Sequence, residues 1–381
     1  MIANVTLAAT LLVVLFLDEP RVVNPPRVPN VAFVERTPLV APPPMREPTP
    51  PSGACVRTGT ARVVARRAQL GPGVDVTPLD TGFGLGLAAS ATEAVGVRIE
   101  GSSLRIAETI RVRSPMAPKH VATTFPDDAD ALDLRIDADD ARTIVPDEAA
   151  AFRVAPRGAF LVADANGRTR TLWPLPGVTG HGRFLRAPTD VVVRAAPTDE
   201  GGLVAALKRP GLLYFGVADA SLVATTTLAS LGRANATIGT PSITALGGGG
   251  AVAWAERAPG AHDWSVVLTT FSPDGEGKAN IGPVRAIGTG MSPSLAALPD
   301  GDLLVAYAEG PPGGHRVVAR RFSRELSPRG DAIVLSPEAT NAGQPTASVR
   351  ADGRGVVAFF AAERGRPASV LATPVVCDPG L

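Results

Sequence analysis

PSLAALPDGDLLVAY, Pro293–Tyr307, is the clearest copy of a segment that this chain repeats. An apolar stretch leads through an Asp-Gly turn into a second apolar stretch. Related segments begin 52 residues earlier, at Pro241, and 52 residues later, at Pro345. A constant step of this length, built from short strands, is typical of the blades of a β-propeller.

Weaker copies of the second apolar stretch occur outside these three segments. They lie at Gly84–Ala89, Gly158–Ala163 and Leu203–Ala206, which gives six such stretches in all. Residues 55–381 number 327, about six steps of 52. The sequence therefore predicts an all-β chain with a single propeller of six blades. The long gap Ser114–Arg157 leaves room for a seventh, degenerate blade.

The N-terminal part of the repeat region, near residues 56–78, is predicted to complete the last blade. The last copy ends with a third strand, Ser369–Val376, and has no fourth. Thr60–Arg67 is similar to the third strand His315–Phe322, and Val74–Val76 is predicted to follow it as a fourth. A ring closed by both termini leaves no exposed sheet edge.

The chain has two cysteines, Cys55 and Cys377, at opposite ends of the repeat region. A ring closed by the termini would bring them together, so we predict a disulfide between them. Two unrelated thiols are the alternative. A disulfide would place the protein in an oxidising compartment.

The sequence predicts that the chain consists of three segments. Residues 1–18 contain the apolar run Val5–Leu17, which is shorter than the roughly 20 residues of a membrane-spanning helix and suits a signal peptide. An uncleaved membrane anchor and a buried segment of a cytosolic protein are the alternatives. Residues 19–54 are predicted to be a disordered tether, because their many prolines remove backbone donors and fix φ. Residues 55–381 form the propeller domain.

The repeats resemble a family of secreted bacterial propeller repeats. Its consensus is Pro-Ser-x-x-x-Leu-x-Asp-Gly-x-x-Val-x-Trp, followed by a strand that ends in Arg-Phe. The match is best in Pro293–Gly301 with Val305 and Tyr307, and then in Arg320–Phe322. It covers residues 188–377 well and residues 55–187 poorly. The resemblance implies the fold and export, and it implies no particular chemistry.

Composition and motifs exclude several functions. A net charge of +1 gives no electrostatic reason to expect nucleic acid or an anionic membrane surface as a partner. The four histidines lack the spacing of a zinc site, and neither a Walker loop nor a Gly-x-Ser-x-Gly elbow occurs. The acidic segment 127–148 is interpreted as a solvated insertion rather than a calcium site. We therefore assign no catalytic residue, no cofactor and no metal ligand.

Some propellers are sialidases, and two segments of this chain partly match sialidase motifs. Ser272–Gly277 begins like an Asp box, but its glycines are out of register; Phe152–Pro156 differs from the Arg-Ile-Pro motif by one extra residue. Glu256 and Glu309 each follow the aromatic residue of a second strand by two positions. They are candidates to line the central funnel, and solvated strand ends are the alternative.

The sequence thus favours a non-enzymatic, exported binding or scaffold module of the bacterial cell envelope. We expect the protein to be a monomer. It would recognise a protein or a carbohydrate through loops on one propeller face. Contact with a membrane is expected only through an N-terminal anchor. The alternatives are a glycan-active, sialidase-like hydrolase or lyase, and a purely structural domain of a surface assembly.

Overall fold

The computed structural model describes residues 53–66, 73–79, 81–90, 93–101, 103–113, 120–124, 133–137, 151–153, 159–163, 169–174, 183–186, 192–198, 203–209, 212–218, 229–232, 235–274, 279–363 and 365–377. All of them belong to one compact unit, Thr49–Leu381. The predicted signal and nearly all of the predicted tether lie outside the described residues. Within those residues every regular element is a strand and the strand pairs are antiparallel, so the all-β prediction is confirmed.

The N-terminal half contributes two short strands, three four-stranded sheets and a hairpin. The short strands are β1 (Cys55–Arg57) and β2 (Arg62–Ala65). Sheet 1 contains β3 (Val74–Pro78), β4 (Gly82–Ser90), β5 (Glu93–Glu100) and β6 (Arg105–Arg113). The hairpin contains β7 (His120–Thr124) and β8 (Asp133–Asp137). Sheet 2 contains β9 (Ala151–Arg153), β10 (Ala159–Ala163), β11 (Thr169–Pro174) and β12 (Arg183–Arg186). Sheet 3 contains β13 (Val192–Pro197), β14 (Leu203–Arg209), β15 (Leu212–Ala218) and β16 (Ala229–Gly232).

The C-terminal half contributes three further sheets. Sheet 4 contains β17 (Thr237–Ile238), β18 (Ser242–Leu246), β19 (Gly249–Arg257), β20 (Ser265–Pro273), β21 (Ala279–Ile281) and β22 (Arg285–Thr289). Sheet 5 contains β23 (Met291–Ala297), β24 (Leu303–Glu309), β25 (Arg316–Phe322) and β26 (Pro328–Val334). Sheet 6 contains β27 (Asn341–Val349), β28 (Arg354–Ala362) and β29 (Ser369–Cys377), and both β1 and β2 pair with β29.

The six apolar stretches identified in the sequence occupy equivalent places. They are β4, β10, β14, β19, β24 and β28, and each holds the second position of its sheet. The hairpin β7–β8 lies in the gap Ser114–Arg157, where the sequence left room for a degenerate blade.

The second strands are continuously apolar because both of their faces are buried. In β24, Val305 and Tyr307 pack in a cluster with sheet 4, whereas Leu304 and Ala306 pack in a cluster with sheet 6. Successive side chains of a strand point to opposite faces of its sheet. A strand that lies between two neighbouring sheets is therefore apolar at every position.

Hydrophobic clusters join successive sheets. Sheets 3 and 4 share one that includes the Phe215 and Phe271 rings, whose centroids are 4.8 Å apart. Sheets 4 and 5 share a second and sheets 5 and 6 a third. The fourth joins the C-terminal sheet 6, through Phe360 and Val370, to Phe83 and Leu85 of the N-terminal sheet 1. The two ends of the repeat region are therefore packed against each other.

Hydroxyl groups at the start of the repeats join the first strands of neighbouring sheets. Ser242 Oγ accepts a hydrogen bond from the backbone N–H of Leu295, at 2.9 Å. One repeat later, Ser294 Oγ accepts one from the N–H of Ala347, also at 2.9 Å. The first strand of a sheet has a neighbouring strand on one side only. Each hydroxyl therefore gives a hydrogen-bond partner to a backbone N–H on the other, open side of that strand. The Pro-Ser pair of the repeat thus has a packing role.

One detail of the strand prediction is wrong. Val74–Pro78 pairs with Gly82–Ser90 and begins sheet 1, so it is not a fourth strand after Thr60–Arg67. The reason is that β29 already holds the third position of sheet 6. Only the outer position next to β29 is left for the N-terminal segment, and β1 and β2 fill it.

Candidate functional site

Sheets 5 and 6 each have two distinguishable ends. At one end β23 begins, β24 ends and β25 begins, because Met291 pairs with Ala308 and Glu309 pairs with Arg316. We call this end of the two sheets the cleft face. At the other end the Asp300–Gly301 turn joins β23 to β24, with Gly301 at φ 84° in the conformation that favours glycine. We call it the Asp-Gly face.

A cleft of about 210 Å³ lies between sheets 5 and 6 on the cleft face. Its lining combines apolar groups with a few hydrogen-bonding side chains. The polar members are Ser292, His315, Asn341 and Gln344. Met291, Gly343, Phe360 and a set of alanines complete the wall: Ala308, Ala342, Ala361, Ala362 and Ala368.

Two equivalent residues of the cleft have an unusual backbone. Ser292 has a φ of 52° and Gln344 a φ of 50°, and each directly precedes the proline that opens a repeat. The strand pairing shifts register at both places, between Met291 and Ser294 and between Gly343 and Thr346. The left-handed conformation costs a non-glycine residue about 1–2 kcal/mol. Strained residues and β-bulges are both enriched at functional sites.

Gly343 helps to create the cleft. It pairs with Phe360 as Met291, 52 residues earlier, pairs with Ala308. A β-carbon added to Gly343 would meet nothing closer than the β-carbon of Ala308, at 3.9 Å. Gly343 therefore brings no side chain into the cleft, whereas the equivalent position of the preceding repeat carries the side chain of Met291.

The polar wall is held in place by backbone bonds. The N–H of His315 donates to Oδ1 of Asn341 at 3.1 Å, and the N–H of Ala342 donates to the carbonyl of His315 at 2.8 Å. Within the described residues no hydrogen bond engages the side chains of Ser292, Gln344 or His315. These three side chains are therefore available to a ligand.

The two predicted funnel residues lie at equivalent strand ends, Glu309 on the cleft face of sheet 5 and Glu256 near the end of β19 in sheet 4. Glu309 directly follows Ala308 of the cleft wall, and its Oε1 lies 2.8 Å from Nε and 2.7 Å from Nη2 of Arg316. Glu256 accepts a hydrogen bond from Nε1 of Trp254, at 3.2 Å. Both carboxylates thus have protein partners, and their place in a central funnel stays a prediction.

The charge of Glu309 acts on a neighbouring phenol. Burial, and then the nearby carboxylate of Glu309, raise the pKa of Tyr307 above its ordinary value of 10.0, while Arg320 opposes the shift. Tyr307 is 4% exposed and belongs to the cluster between sheets 4 and 5. This placement makes Tyr307 a packing residue of the second strand.

A second charged cluster lies on the Asp-Gly face, and sequence reasoning missed it. The guanidinium of Arg321, whose side chain is 3% exposed, pairs with Asp300 and, through Nε at 2.8 Å, with Oδ2 of Asp302. Nε of Arg329 contacts the same Oδ2 at 2.7 Å. The sequence feature that could have indicated this cluster is Arg321, an arginine among the apolar residues of a third strand. Because these charges neutralise one another, we interpret the cluster as structural.

The chain ends of the repeat region meet on the Asp-Gly face as well. Cys55 and Cys377, 322 positions apart, form the expected disulfide, with an S–S distance of 1.98 Å. Their backbones pair directly, and the N–H of Cys377 donates to the carbonyl of Gly353 in the Asp-Gly turn of sheet 6. The N-terminal segment thus enters the sheet opposite the cleft.

Other sequence predictions fall largely outside the described residues. These include most of the acidic segment 127–148 and the Phe152–Pro156 motif beyond Arg153. Across the part of the chain that the structure describes, no group of three or more His, Cys, Asp or Glu residues is placed to hold a metal ion. No helix in that part has the length and apolarity needed to cross a membrane.

No family model matches the chain, and no curated protein matches it. Among solved structures, it is similar to a protein of unknown function from Dyadobacter fermentans, with 13% sequence identity and a TM-score of 0.54, over 85% of this chain and 99% of that one. It is also similar to the subtype N11 neuraminidase-like protein of A/flat-faced bat/Peru, with 10% identity and a TM-score of 0.44, over 87% and 95% of the two chains. The Dos1 propeller matches with 11% identity and a TM-score of 0.36, over 81% and 72%. At such identities the first likeness concerns the fold alone.

Proposed function

We propose that this chain is an exported β-propeller that binds its ligand in the cleft between sheets 5 and 6 and catalyses no reaction. The observation that carries the proposal is the cleft itself. It combines free hydrogen-bonding side chains with two strained residues at equivalent bulges. The ligand, a protein or a carbohydrate, would be a component of the bacterial cell envelope.

The packing of the sheets supports a closed propeller. In this proposal the six larger sheets are six blades, and sheet 6 is completed by β1 and β2 from the N-terminus. The cluster between sheets 6 and 1 would then be the seam of the ring. The hairpin β7–β8 contacts sheet 1 and would stand between the blades formed by sheets 1 and 2.

Export is supported by the disulfide. A Cys55–Cys377 bond persists in an oxidising compartment and is rare in a reducing cytosol. The predicted signal at residues 1–18 agrees with export, and the alternative interpretation of that segment, an uncleaved anchor followed by the tether at residues 19–54, would keep the protein attached to the envelope.

The position of the chain ends suggests how the module is presented. The described part of the chain begins at Gly53, beside the Arg321 and Arg329 side chains on the Asp-Gly face. A tether that precedes this residue would join the module at that face. The cleft lies at the opposite end of sheets 5 and 6 from Gly53.

A binding role is favoured over a glycan-active enzyme by the chemistry of the cleft wall. Hydrolysis of a glycoside generally needs a pair of carboxyl groups about 5–10 Å apart. Among the described residues that line the cleft, none carries a carboxyl group. The nearest acids along the chain, Glu309 and Glu363, are paired with Arg316 and Arg366, and the Asp300–Asp302 pair lies on the other face. A purely structural domain would need neither an open cleft nor strained residues in its wall.

Retention of the purified, oxidised full-length protein on envelope preparations of its host tests this function. The matched variants are Gly343→Met, which restores to the cleft the side chain of the preceding repeat, and Thr240→Ala, which changes the residue before Pro241 outside the cleft. We expect the wild type and Thr240→Ala to be retained and Gly343→Met to be released. Equal retention of all three, or release of reducing sugar from the envelope, would contradict the proposal.

A further inference from the structure

We propose that the cleft binds one uncharged sugar ring, either a free monosaccharide or the terminal residue of a glycan. This inference rests on the proposed binding function and adds the class of ligand. It follows from the size of the cleft, the chemistry of its wall and the rigidity of its polar groups.

The size of the cleft limits the ligand to about one ring. Pockets for drug-sized molecules usually measure about 300–1,000 Å³. The cleft, at about 210 Å³, is smaller and cannot enclose an extended peptide or an oligosaccharide. A longer glycan could place only its terminal residue inside.

The wall matches a neutral, hydroxyl-rich molecule. The hydroxyl of Ser292 and the amide of Gln344 can each donate and accept hydrogen bonds, as the hydroxyl groups of a sugar do. No Asp, Glu, Lys or Arg belongs to the described lining, so neither a carboxylate nor an ammonium group would find a permanent counter-charge there. An anionic sugar should therefore be excluded.

The remaining wall is apolar, as the hydrogen-bearing faces of a pyranose ring require. Met291 and Phe360 lie in the wall with five alanines. Small side chains leave a smooth surface, and the hydrogen-bonding side chains are those of Ser292 in β23, of Asn341 and Gln344 in β27, and of His315 just before β25. Ligand pockets generally combine a mostly apolar wall with a few placed polar groups.

The backbone that carries the polar side chains is constrained before the ligand arrives. The backbones of Ser292 and Gln344 are each constrained by a bulge and by the proline that follows, which restricts the conformations of the residue before it. The Asn341 side chain holds the backbone of His315. Groups that are ordered in advance lose less entropy on binding.

Saturation-transfer NMR on the oxidised full-length protein tests the inference. The neutral probes are the methyl glycosides of glucose, galactose, mannose and N-acetylglucosamine, and the charged probes are the methyl glycoside of N-acetylneuraminic acid and glucosamine. Because a single ring has few atoms, we expect a dissociation constant of about 1 mM for at least one neutral probe. Gly343→Met should abolish the signal, Gln344→Ala should weaken binding about three- to tenfold, and Thr240→Ala should leave it unchanged.

Two results would overturn the inference. One is the absence of transfer to every neutral probe at about 50 mM, a concentration that would detect even weak sugar binding. The other is a preference for either charged probe. If envelope retention is still lost in Gly343→Met, the proposed binding function survives and only the ligand class is wrong. A glycan whose terminal sugar binds far better than the free glycoside would identify the glycan as the source.

Discussion

The hydroxyl of Thr346 donates a hydrogen bond of 2.7 Å to the carbonyl oxygen of Val74. The two residues are 272 positions apart, so the bond links the last clear repeat to the first strand of sheet 1. Thr346 occupies the same place in its repeat as Ser242 and Ser294, whose hydroxyls contact the next sheet along the chain. The repeating contact therefore continues from the C-terminal sheet to the N-terminal one.

Replacing Thr346 with valine should lower the free energy of unfolding by about 1 kcal/mol, the usual net value of one hydrogen bond. Valine keeps the shape of the side chain and removes the donor, so the Val74 carbonyl loses its partner. Thr346→Ser keeps the hydroxyl and serves as the control. Urea denaturation under oxidising conditions measures both variants. Equal stability of Thr346→Val and the wild type would show that the contact contributes nothing.

Loss of the disulfide should destabilise the folded protein by about 2–5 kcal/mol, because the bond constrains a long loop of the unfolded chain. The double variant Cys55→Ser/Cys377→Ser should show this in denaturant unfolding relative to the oxidised wild type. Titration of the unreduced, denatured wild type should find no free thiol. Two free thiols would refute the pairing.

The two arginine contacts in sheet 5 should differ in their energies. Arg321→Met leaves Asp300 and Asp302 without their buried partner and should lower the free energy of unfolding by about 3 kcal/mol. Arg316→Met breaks a contact of an exposed side chain with Glu309 and should cost less than about 1 kcal/mol. Both variants have the same change in charge and size. If their unfolding curves coincide, the Arg321 cluster is not the structural element described above.

Tyr307 should make the protein less stable at alkaline pH. Its pKa is raised in the folded state, mainly by burial, so the folded chain holds the phenolic proton more tightly than the unfolded chain does. The resulting stability is fully present below the ordinary value of 10.0 and is lost as the pH rises from there through the folded pKa. Tyr307→Phe should flatten the fall of the unfolding free energy as the pH rises above 10.0. Parallel curves for the two proteins would contradict the assignment.

The constant step in the sequence was enough to predict the strands around it. The apolar runs that include Trp254, Tyr307 and Phe359 became β19, β24 and β28 because packing between two sheets requires an apolar side chain at every position. The prediction for Val74 assigned it to the wrong sheet. Similarity between two short segments shows that both are strands, but it does not show which strands pair with each other. That pairing depends on β29, which is about 300 residues away.

The candidate site was less predictable. The cleft depends on a missing side chain at Gly343, compared with Met291, and on left-handed backbone at Ser292 and Gln344. No sequence motif marks these features, because a serine or a glutamine in a sequence does not indicate a positive φ. The Arg321 cluster was not predicted for a similar reason. In the sequence Asp300 and Asp302 resemble the residues of an ordinary turn, and only the fold brings them next to Arg321.

Hydrogen–deuterium exchange in the presence of host envelope extract is the most direct test of ligand binding in the cleft, whatever the class of ligand. We expect slower exchange in residues 291–292, 315–316 and 341–344 of the wild type, no change in the turn 299–302, and no protection in Gly343→Met. Protection confined to the Asp-Gly face, or equal protection of the cleft in Gly343→Met, would show that the ligand binds elsewhere.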